Sequence, residues 1–410
     1  MSWFTRNGGI KRRDFLRAGF GSIAFGASGF LGRAPSWAQT AAEAARHDRI
    51  LVIIELSGGN DGLNTVVPYG DDAYYRARPR IGVKGPRLRK LDDHFAFQYT
   101  MAGFERLYKD GRLAIVHGVG YDQPSFSHFS SMAYWQTAAP NRGDLYGWVG
   151  RLADAMDPEG HANYLVNIDT QQSLAVRSRA HVPLVFDDPE KFIRTGFAEE
   201  KAVLQTVAAP GKAANEAQEF MYGVSRSALD AEQLVRDAWA HYRTPVDYGL
   251  VRFGLDRVAA LIAAEFPTRI YYVAYRNNAF DTHVYQSDVH ARLWTYTSDH
   301  VAAFVKDVAR LGRGKDVMLM AFSEFGRRVK ENSSQGTDHG TAGPVFMIGE
   351  PVLGGQYGKM PSLTELNDGN MVFTTDFRRV YATAITGFLG HADTGTVLRG
   401  EFDPLPIIKA

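Results

Sequence analysis

Residues able to do chemistry together fall in short polar loops, each directly after an apolar run. Ser323-Glu-Phe-Gly-Arg327 closes the run Asp316–Phe322, and Gly336-Thr-Asp-His-Gly340 stands before the run Pro344–Glu350. Apolar runs bounded by glycines and polar clusters read as buried strands, which puts Glu324, Asp338 and His339 at strand ends. In open α/β sheets, chemistry gathers outside the carboxyl ends of the strands. Carboxylates and imidazoles brought there are metal ligands, so the first expectation is a metal site. The rest of the chain supplies further members. Asp61 follows the run Arg49–Leu56 inside Ser57-Gly-Gly-Asn-Asp-Gly62. Asn-Asp-Gly is also the usual setting of a turn aspartate bonded to its own backbone, and that reading stays open. Asp281 and His283, two apart, face one side of an extended segment and can share one ion. Ser127-His128 sits where a loop enters a helical stretch, with the positive end of the helix dipole and free N–H groups beside the hydroxyl. Ser127 also suits an N-cap, and the two roles are compatible.

With 410 residues, 45% of them apolar and 22% charged, the chain has an ordinary globular composition. Its formal net charge of +1 argues against a general electrostatic binder of nucleic acid or of anionic membrane. The absence of cysteine excludes thiolate metal sites, disulfides and cysteine nucleophiles, leaving oxygen and imidazole as ligands. Such a mix suits zinc, manganese, iron or magnesium and does not choose among them.

The elements that must position these residues read as a doubly wound, mostly parallel α/β sheet with helices on both faces. Strands are expected at 49–56, 112–117, 269–275, 316–322 and 344–350, with helices at 101–109, 129–137, 145–156, 251–266, 286–311 and 376–389. The order strand, helix, strand over 49–117 is a crossover unit. Residues 65–98 show no period and read as a surface excursion. Short strands at 163–168 and 182–186 and a polar helix at 208–242 suggest that about 160–245 is a partly helical insertion or cap. Residues 1–38 read as a twin-arginine export signal: Arg12-Arg13, a weakly apolar Gly/Ala-rich segment from Ala18 to Leu31, and the small-residue site Ser36-Trp-Ala38. That segment is too short and glycine-rich to span a membrane. The remainder, 39–410, is expected to be a single domain exported to the periplasm by the twin-arginine machinery.

Gly58-Gly-Asn-Asp-Gly-Leu-Asn-Thr-Val-Val-Pro68, Ser127-His-Phe129, Phe280-Asp-Thr-His283, Ser323-Glu-Phe-Gly-Arg327 and Gly336-Thr-Asp-His-Gly340 resemble, in order and over nearly the whole mature chain, a twin-arginine-exported bacterial family of unknown function, DUF1501. That family is similar to the alkaline phosphatase and sulfatase superfamily. The resemblance implies an alkaline phosphatase-like sheet, one or two divalent ions, Asp61 as the first-strand ligand, Ser127 in the nucleophile's place, Asp281 and His283 as acid and imidazole ligands, and His339 as the late histidine ligand. The chain departs from the superfamily where Ser323-Glu324 stands in place of an Asp-His pair, so Glu324 is expected to replace the bridging acid. Asp281 and His283 are also closer together than is common there. Ser127 lacks the Pro and Arg spacing of the sulfatase nucleophile, which disfavours conventional sulfatase chemistry. The expected activity is hydrolysis of a small anionic ester, foremost a phosphate ester: Ser127 attacks after metal-assisted deprotonation, His128 orients or protonates, and Arg327 or a helix N-terminus holds the non-reacting oxygens. Phosphoryl or sulfuryl transfer, or a metal-stabilised envelope protein without turnover, are the alternatives.

Overall fold

A computed structural model describes residues 49–192, 215, 231–275 and 277–409, within a compact unit spanning 45–410. The expected export signal lies outside the described residues, as does most of the expected helix at 208–242, of which 231–241 are helical. In chain order the elements begin with β1 (Ile50–Leu56), β2 (Val66–Val67), α1 (Asp72–Ala77), β3 (Leu88–Lys90), β4 (Ala96–Gln98), α2 (Ala102–Lys109) and β5 (Leu113–Gly120). There follow α3 (His128–Thr137), α4 (Trp148–Met156), β6 (Leu165–Ile168), β7 (Leu184–Phe186), α5 (Leu255–Ala263), β8 (Ile270–Tyr275), α6 (Gln286–Arg310) and β9 (Val317–Phe322). The last part holds β10 (Arg327–Glu331), β11 (Thr337–His339), β12 (Gly343–Ile348), β13 (Gly355–Tyr357), β14 (Leu366–Asn367), β15 (Asn370–Met371), β16 (Thr375–Asp376), α7 (Phe377–Ala382) and α8 (Thr394–Leu398).

The main sheet runs β13-β5-β12-β9-β1-β8-β6-β7, with β16 also paired to β5. β1 lies at its centre, between β8 and β9 and parallel to both, and every one of its residues is buried. A run of aliphatic residues broken only by Glu55, whose carboxylate accepts hydrogen bonds from Gln136 and Tyr272, suits a strand covered on both sides. Its alternate residues point into two cores. Val52, Ile54 and Leu56 pack with Phe104 of α2, Leu261 of α5, and Trp294 and Phe304 of α6. Leu51 and Ile53 face Trp135 of α3, Trp148 of α4 and Tyr381 of α7. Helices therefore cover both faces, as a doubly wound α/β sheet requires.

Among the described strands of this sheet, β12 alone is antiparallel, pairing with β5 and β9 in that sense. Its register, Phe346 with Ala321 and Ile348 with Leu319, sets the start of β12 beside the end of β9. The segment entering β12, including His339, thus arrives at the edge where β1, β8 and β9 finish. An apolar run carries no mark of its direction, so the sequence pattern predicts the strand and not its sense.

Two expectations need correction. The stretch at about 160–245 does not begin as an insertion, because β6 and β7 extend the main sheet in parallel register beside β8. Residues 65–98 are not a loose excursion either. β2, β4 and β3 form a small antiparallel sheet, and Val67, Ala73 and Tyr74 join Leu63, Val329, Ala342, Leu363 and Met371 in a third apolar cluster. Strands of two or three residues are too short to show a period.

Candidate metal centre

Three imidazoles from separate elements turn their Nε2 atoms toward one carboxylate at this edge. The carboxylate is Asp281, in the loop after β8. His283 Nε2 lies 2.9 Å from its Oδ1, His339 Nε2 3.2 Å from the same oxygen, and His128 Nε2 3.4 Å from Oδ2. The Nε2 atoms of His283 and His339 are 3.0 Å apart. Ligand atoms of His128, Asp281 and His339 all fall within 4.8 Å of one another.

The opposite nitrogen of each ring decides what Nε2 can do. His339 Nδ1 is 2.7 Å from the carbonyl oxygen of Phe126. A carbonyl only accepts, so Nδ1 carries the hydrogen and Nε2 of the neutral ring presents a lone pair. His128 Nδ1 is 2.7 Å from Glu324 Oε1 and His283 Nδ1 is 3.3 Å from Asp338 Oδ1, which orients both rings in the same way. Lone pairs of neutral rings aimed at an anionic oxygen at about 3 Å repel it unless a proton or a cation lies between. His128 Nε2 is sealed from solvent and has no hydrogen-bond partner. Imidazoles backed by a carboxylate or carbonyl, converging with one carboxylate, are the donor set of a zinc-type centre. Magnesium, which takes oxygen ligands, fits it less well.

Electrostatics agree with this arrangement. Burial alone raises the Asp281 pKa, but the Arg327 guanidinium, 2.6 Å away, with His283 and His339, holds it below the usual carboxylate value. Burial and the positive charge of Arg327 lower the His339 pKa, favouring the neutral ring that a metal needs. His128 goes the other way: burial lowers its pKa, and the carboxylates of Glu324 and Asp281 outweigh that and raise it.

Close backbone approach makes the geometry possible. A Cβ on Gly58, at φ +118°, would stand 2.5 Å from the Asp281 nitrogen, and one on Gly336 would stand 2.2 Å from the His283 carbonyl carbon. The loop after β1 and the entry to β11 can close on the Asp281–His283 loop only without side chains there.

A model of a protein family described as a protein of unknown function, DUF1501, matches residues 48–383. The chain belongs to the DUF1501 family. No curated protein matches its sequence. The DUF1501 chain is similar to a solved protein of the alkaline phosphatase superfamily from Vibrio parahaemolyticus, with 9% identity and a TM-score of 0.39 over 85% of this chain and 68% of that one. It is also similar to the zinc complex of the C-terminal periplasmic domain of EcEptC from Escherichia coli, at 14% identity and TM-score 0.32 over 74% of this chain and 73% of that one. A third such structure is the phosphonate monoester hydrolase of Agrobacterium radiobacter, at 10% identity and TM-score 0.31 over 86% of this chain and 78% of that one.

In this DUF1501 protein the nine residues singled out from sequence separate into distinct positions. Asp281, His283 and His339, three of the residues expected as ligands, are brought together, and His128, expected to orient or protonate, joins them through Nε2. Glu324 sits behind the cluster. Its buried carboxylate accepts the Gly58 N–H at 2.9 Å and the His128 ring N–H at 2.7 Å, and it lies 3.0 Å from the Ser323 hydroxyl. Asp338, more than half exposed, receives Asn332 Nδ2 at 3.1 Å and orients His283.

Asp61 is drawn away altogether. It is fully buried, bonded to Arg78 Nη1 at 2.7 Å and to Gln286 Nε2, and it caps the 3-10 turn Gly62–Asn64 through the N–H groups of Leu63 and Asn64. Burial raises its pKa and Arg78 more than reverses that. The turn reading of Asn-Asp-Gly describes this residue better than the ligand reading. Its partner Arg78 was not foreseen, since it comes from the stretch that lacked periodicity.

Arg327, expected to hold substrate oxygens, is buried and turned inward. Nε donates to Gly59 O at 2.6 Å, Nη1 to Thr337 O at 2.8 Å, and Nη2 to Gly58 O at 2.5 Å and to Asp281 Oδ1. It is a positioning residue for Asp281 and the surrounding loops. Ser127 caps α3, with its hydroxyl accepting the Ser130 N–H at 3.5 Å, next to His128 at the mouth of the cluster.

Proposed function

We propose that this DUF1501 protein is a metal-dependent hydrolase of small anionic esters, phosphate esters foremost, acting outside the cytoplasm. The observation that carries the reading is the convergence of His128, His283 and His339 Nε2 on the Asp281 carboxylate at the carboxyl edge of the sheet. A divalent zinc, manganese or iron ion held there supplies charge that lowers the pKa of a hydroxyl or water and offsets negative charge on a leaving oxygen. The chain does the rest. Arg327 holds Asp281 in place, while Glu324, Asp338 and the Phe126 carbonyl fix the three rings. With Arg327 committed to Asp281 and to backbone carbonyls, the start of α3, the other expected candidate, offers its dipole and first N–H groups to the oxygens of the ester. Ser127, at that helix start, is the nucleophile of this proposal. The twin-arginine pattern of residues 11–38 supports action after export, and among the described residues no helix is long and apolar enough to cross a membrane.

A second reading has its own support. The Ser127 hydroxyl already serves as the cap of α3, which favours water as the attacking group. One experiment separates the readings: metal content together with turnover of phosphomonoesters, phosphodiesters, sulfate esters and phosphonates, for the natural protein, Ser127→Ala and His339→Ala. The proposal expects metal in the natural protein and in Ser127→Ala, turnover only in the former, and loss of both in His339→Ala. Activity surviving in Ser127→Ala moves the attack to water. Metal bound with no ester of any class consumed overturns the enzyme reading in favour of a metal-stabilised binding protein.

A further inference from the structure

We infer, resting on the site proposed above, that the ester it takes carries an apolar arm beside its anionic centre. Large hydrophobic side chains are exposed at eleven described positions, and five of these flank His128 and His283 along the chain: Phe126, Phe129, Val284, Tyr285 and Val289. Scattered exposed hydrophobics are ordinary, but a concentration of them on the segments that carry a polar site suggests a binding surface.

Connectivity ties these residues to the cluster. Phe126 and Phe129 bracket Ser127-His128, and the Phe126 carbonyl is the group that fixes His339. Val284 and Tyr285 follow His283, and Val289 stands one helical turn beyond Tyr285 on α6. The rings of His128 and His339 are 4.4 Å apart and those of His283 and His339 4.8 Å, so the two apolar segments enter the same cluster from two sides.

The exposure is maintained at a cost. Phe129 and Tyr285 are 87% and 70% exposed. Tyr285 holds a left-handed backbone, φ 45°, a conformation that bulky residues avoid, and its N–H is tied to Ser334 O at 3.0 Å. Strain of this kind persists where surrounding structure imposes it, and here it puts an aromatic ring in water next to a polar centre. An alkyl or aryl group covering Phe129 and Tyr285 while its phosphoryl or phosphonyl oxygens meet the imidazoles would remove that ring surface from water.

The test uses zinc-loaded full chain and two unreactive probes of equal charge, methylphosphonate and hexylphosphonate, with Kd measured by calorimetry. Hexylphosphonate should bind about tenfold or more tightly than methylphosphonate. The double variant Phe129→Ser/Tyr285→Asn should remove that preference while zinc stoichiometry and methylphosphonate affinity stay unchanged. Asparagine tolerates the left-handed backbone, so folding should be preserved. Equal affinity for the two probes in the natural protein overturns this inference alone, and so does a preference that survives in the double variant. Failure of zinc or of both phosphonates to bind overturns the site reading, and this inference with it.

Discussion

Replacing Glu324 by Gln alters one charge behind the cluster while keeping the side chain's shape. Glu324 Oε1 accepts the Gly58 N–H at 2.9 Å and His128 Nδ1 at 2.7 Å, and Oε2 lies 3.0 Å from Ser323 Oγ. A glutamine can keep its oxygen on Gly58 and His128 and turn its NH2 to Ser323, whose own proton is directed at Leu56 O at 2.7 Å. No buried group is then left without a partner, so the fold should lose no more than about 1 kcal/mol. The His128 bond changes in kind. A hydrogen bond to a charged acceptor is worth about 1.5–3 kcal/mol and to a neutral one about 1 kcal/mol, so the ring loses roughly 1–2 kcal/mol of orientation and basicity. Zinc affinity should accordingly fall about tenfold, within the range for groups supporting a metal-ligating histidine. Zinc titration calorimetry at fixed pH, paired with urea unfolding of the metal-free protein, measures both quantities. Unchanged zinc affinity with reduced stability would show that Glu324 only clasps the Gly58 loop. Complete loss of zinc from a fully folded variant would make Glu324 itself a ligand, as the sequence pattern suggested, and would refute the assignment of His128 in its place.

Asp61→Asn should destabilise the fold by about 3–5 kcal/mol, because it leaves the Arg78 charge buried without its partner, whereas zinc stoichiometry of the folded fraction stays the same; urea unfolding and metal analysis check the two halves, and lost stoichiometry with unchanged stability contradicts the structural role. His300, on α6, is buried against Tyr248, with Nδ1 3.1 Å from the Tyr248 carbonyl and Nε2 receiving the Leu255 N–H at 3.2 Å. Burial lowers its pKa from 6.5 to about 4. The unfolded chain therefore takes up a proton that the folded one refuses between those values, so His300 makes stability fall as pH drops from 6.5 toward 4, by about 3 kcal/mol in all. Unfolding free energies at several pH values should show a shallower acid decline in His300→Asn than in the natural protein, and equal slopes would exclude the histidine as a cause.

The sequence pattern revealed the parts of this protein whose cause is local. The uninterrupted run Ile50–Leu56 has one structural solution, a strand covered on both faces, and the long apolar stripe of Gln286–Arg310 has another. Asp281, His283 and His339 were recognisable because their spacing, or their place before a strand, already limits where the side chains can go. What stayed hidden depends on partners distant in sequence. His128 faces the cluster because Glu324, 196 positions away, binds its Nδ1, and Arg78 claims Asp61 from within the segment 65–98. The glycines at 58 and 336 announced turns, but their use is to let three loops close within contact of one another. The four candidate ligands consequently arrive on three separate segments: His128 on α3, Asp281 and His283 after β8, and His339 on β11 ahead of the antiparallel β12. No two of these elements are neighbours in sequence without a strand, a helix or a long connection between them. A metal ion held by all of them would therefore be bound by the completed sheet edge and not by any separate motif. Metal binding and folding of this edge should be thermodynamically linked, in the sense that an ion with no affinity for the unfolded chain stabilises the folded one in proportion to its occupancy.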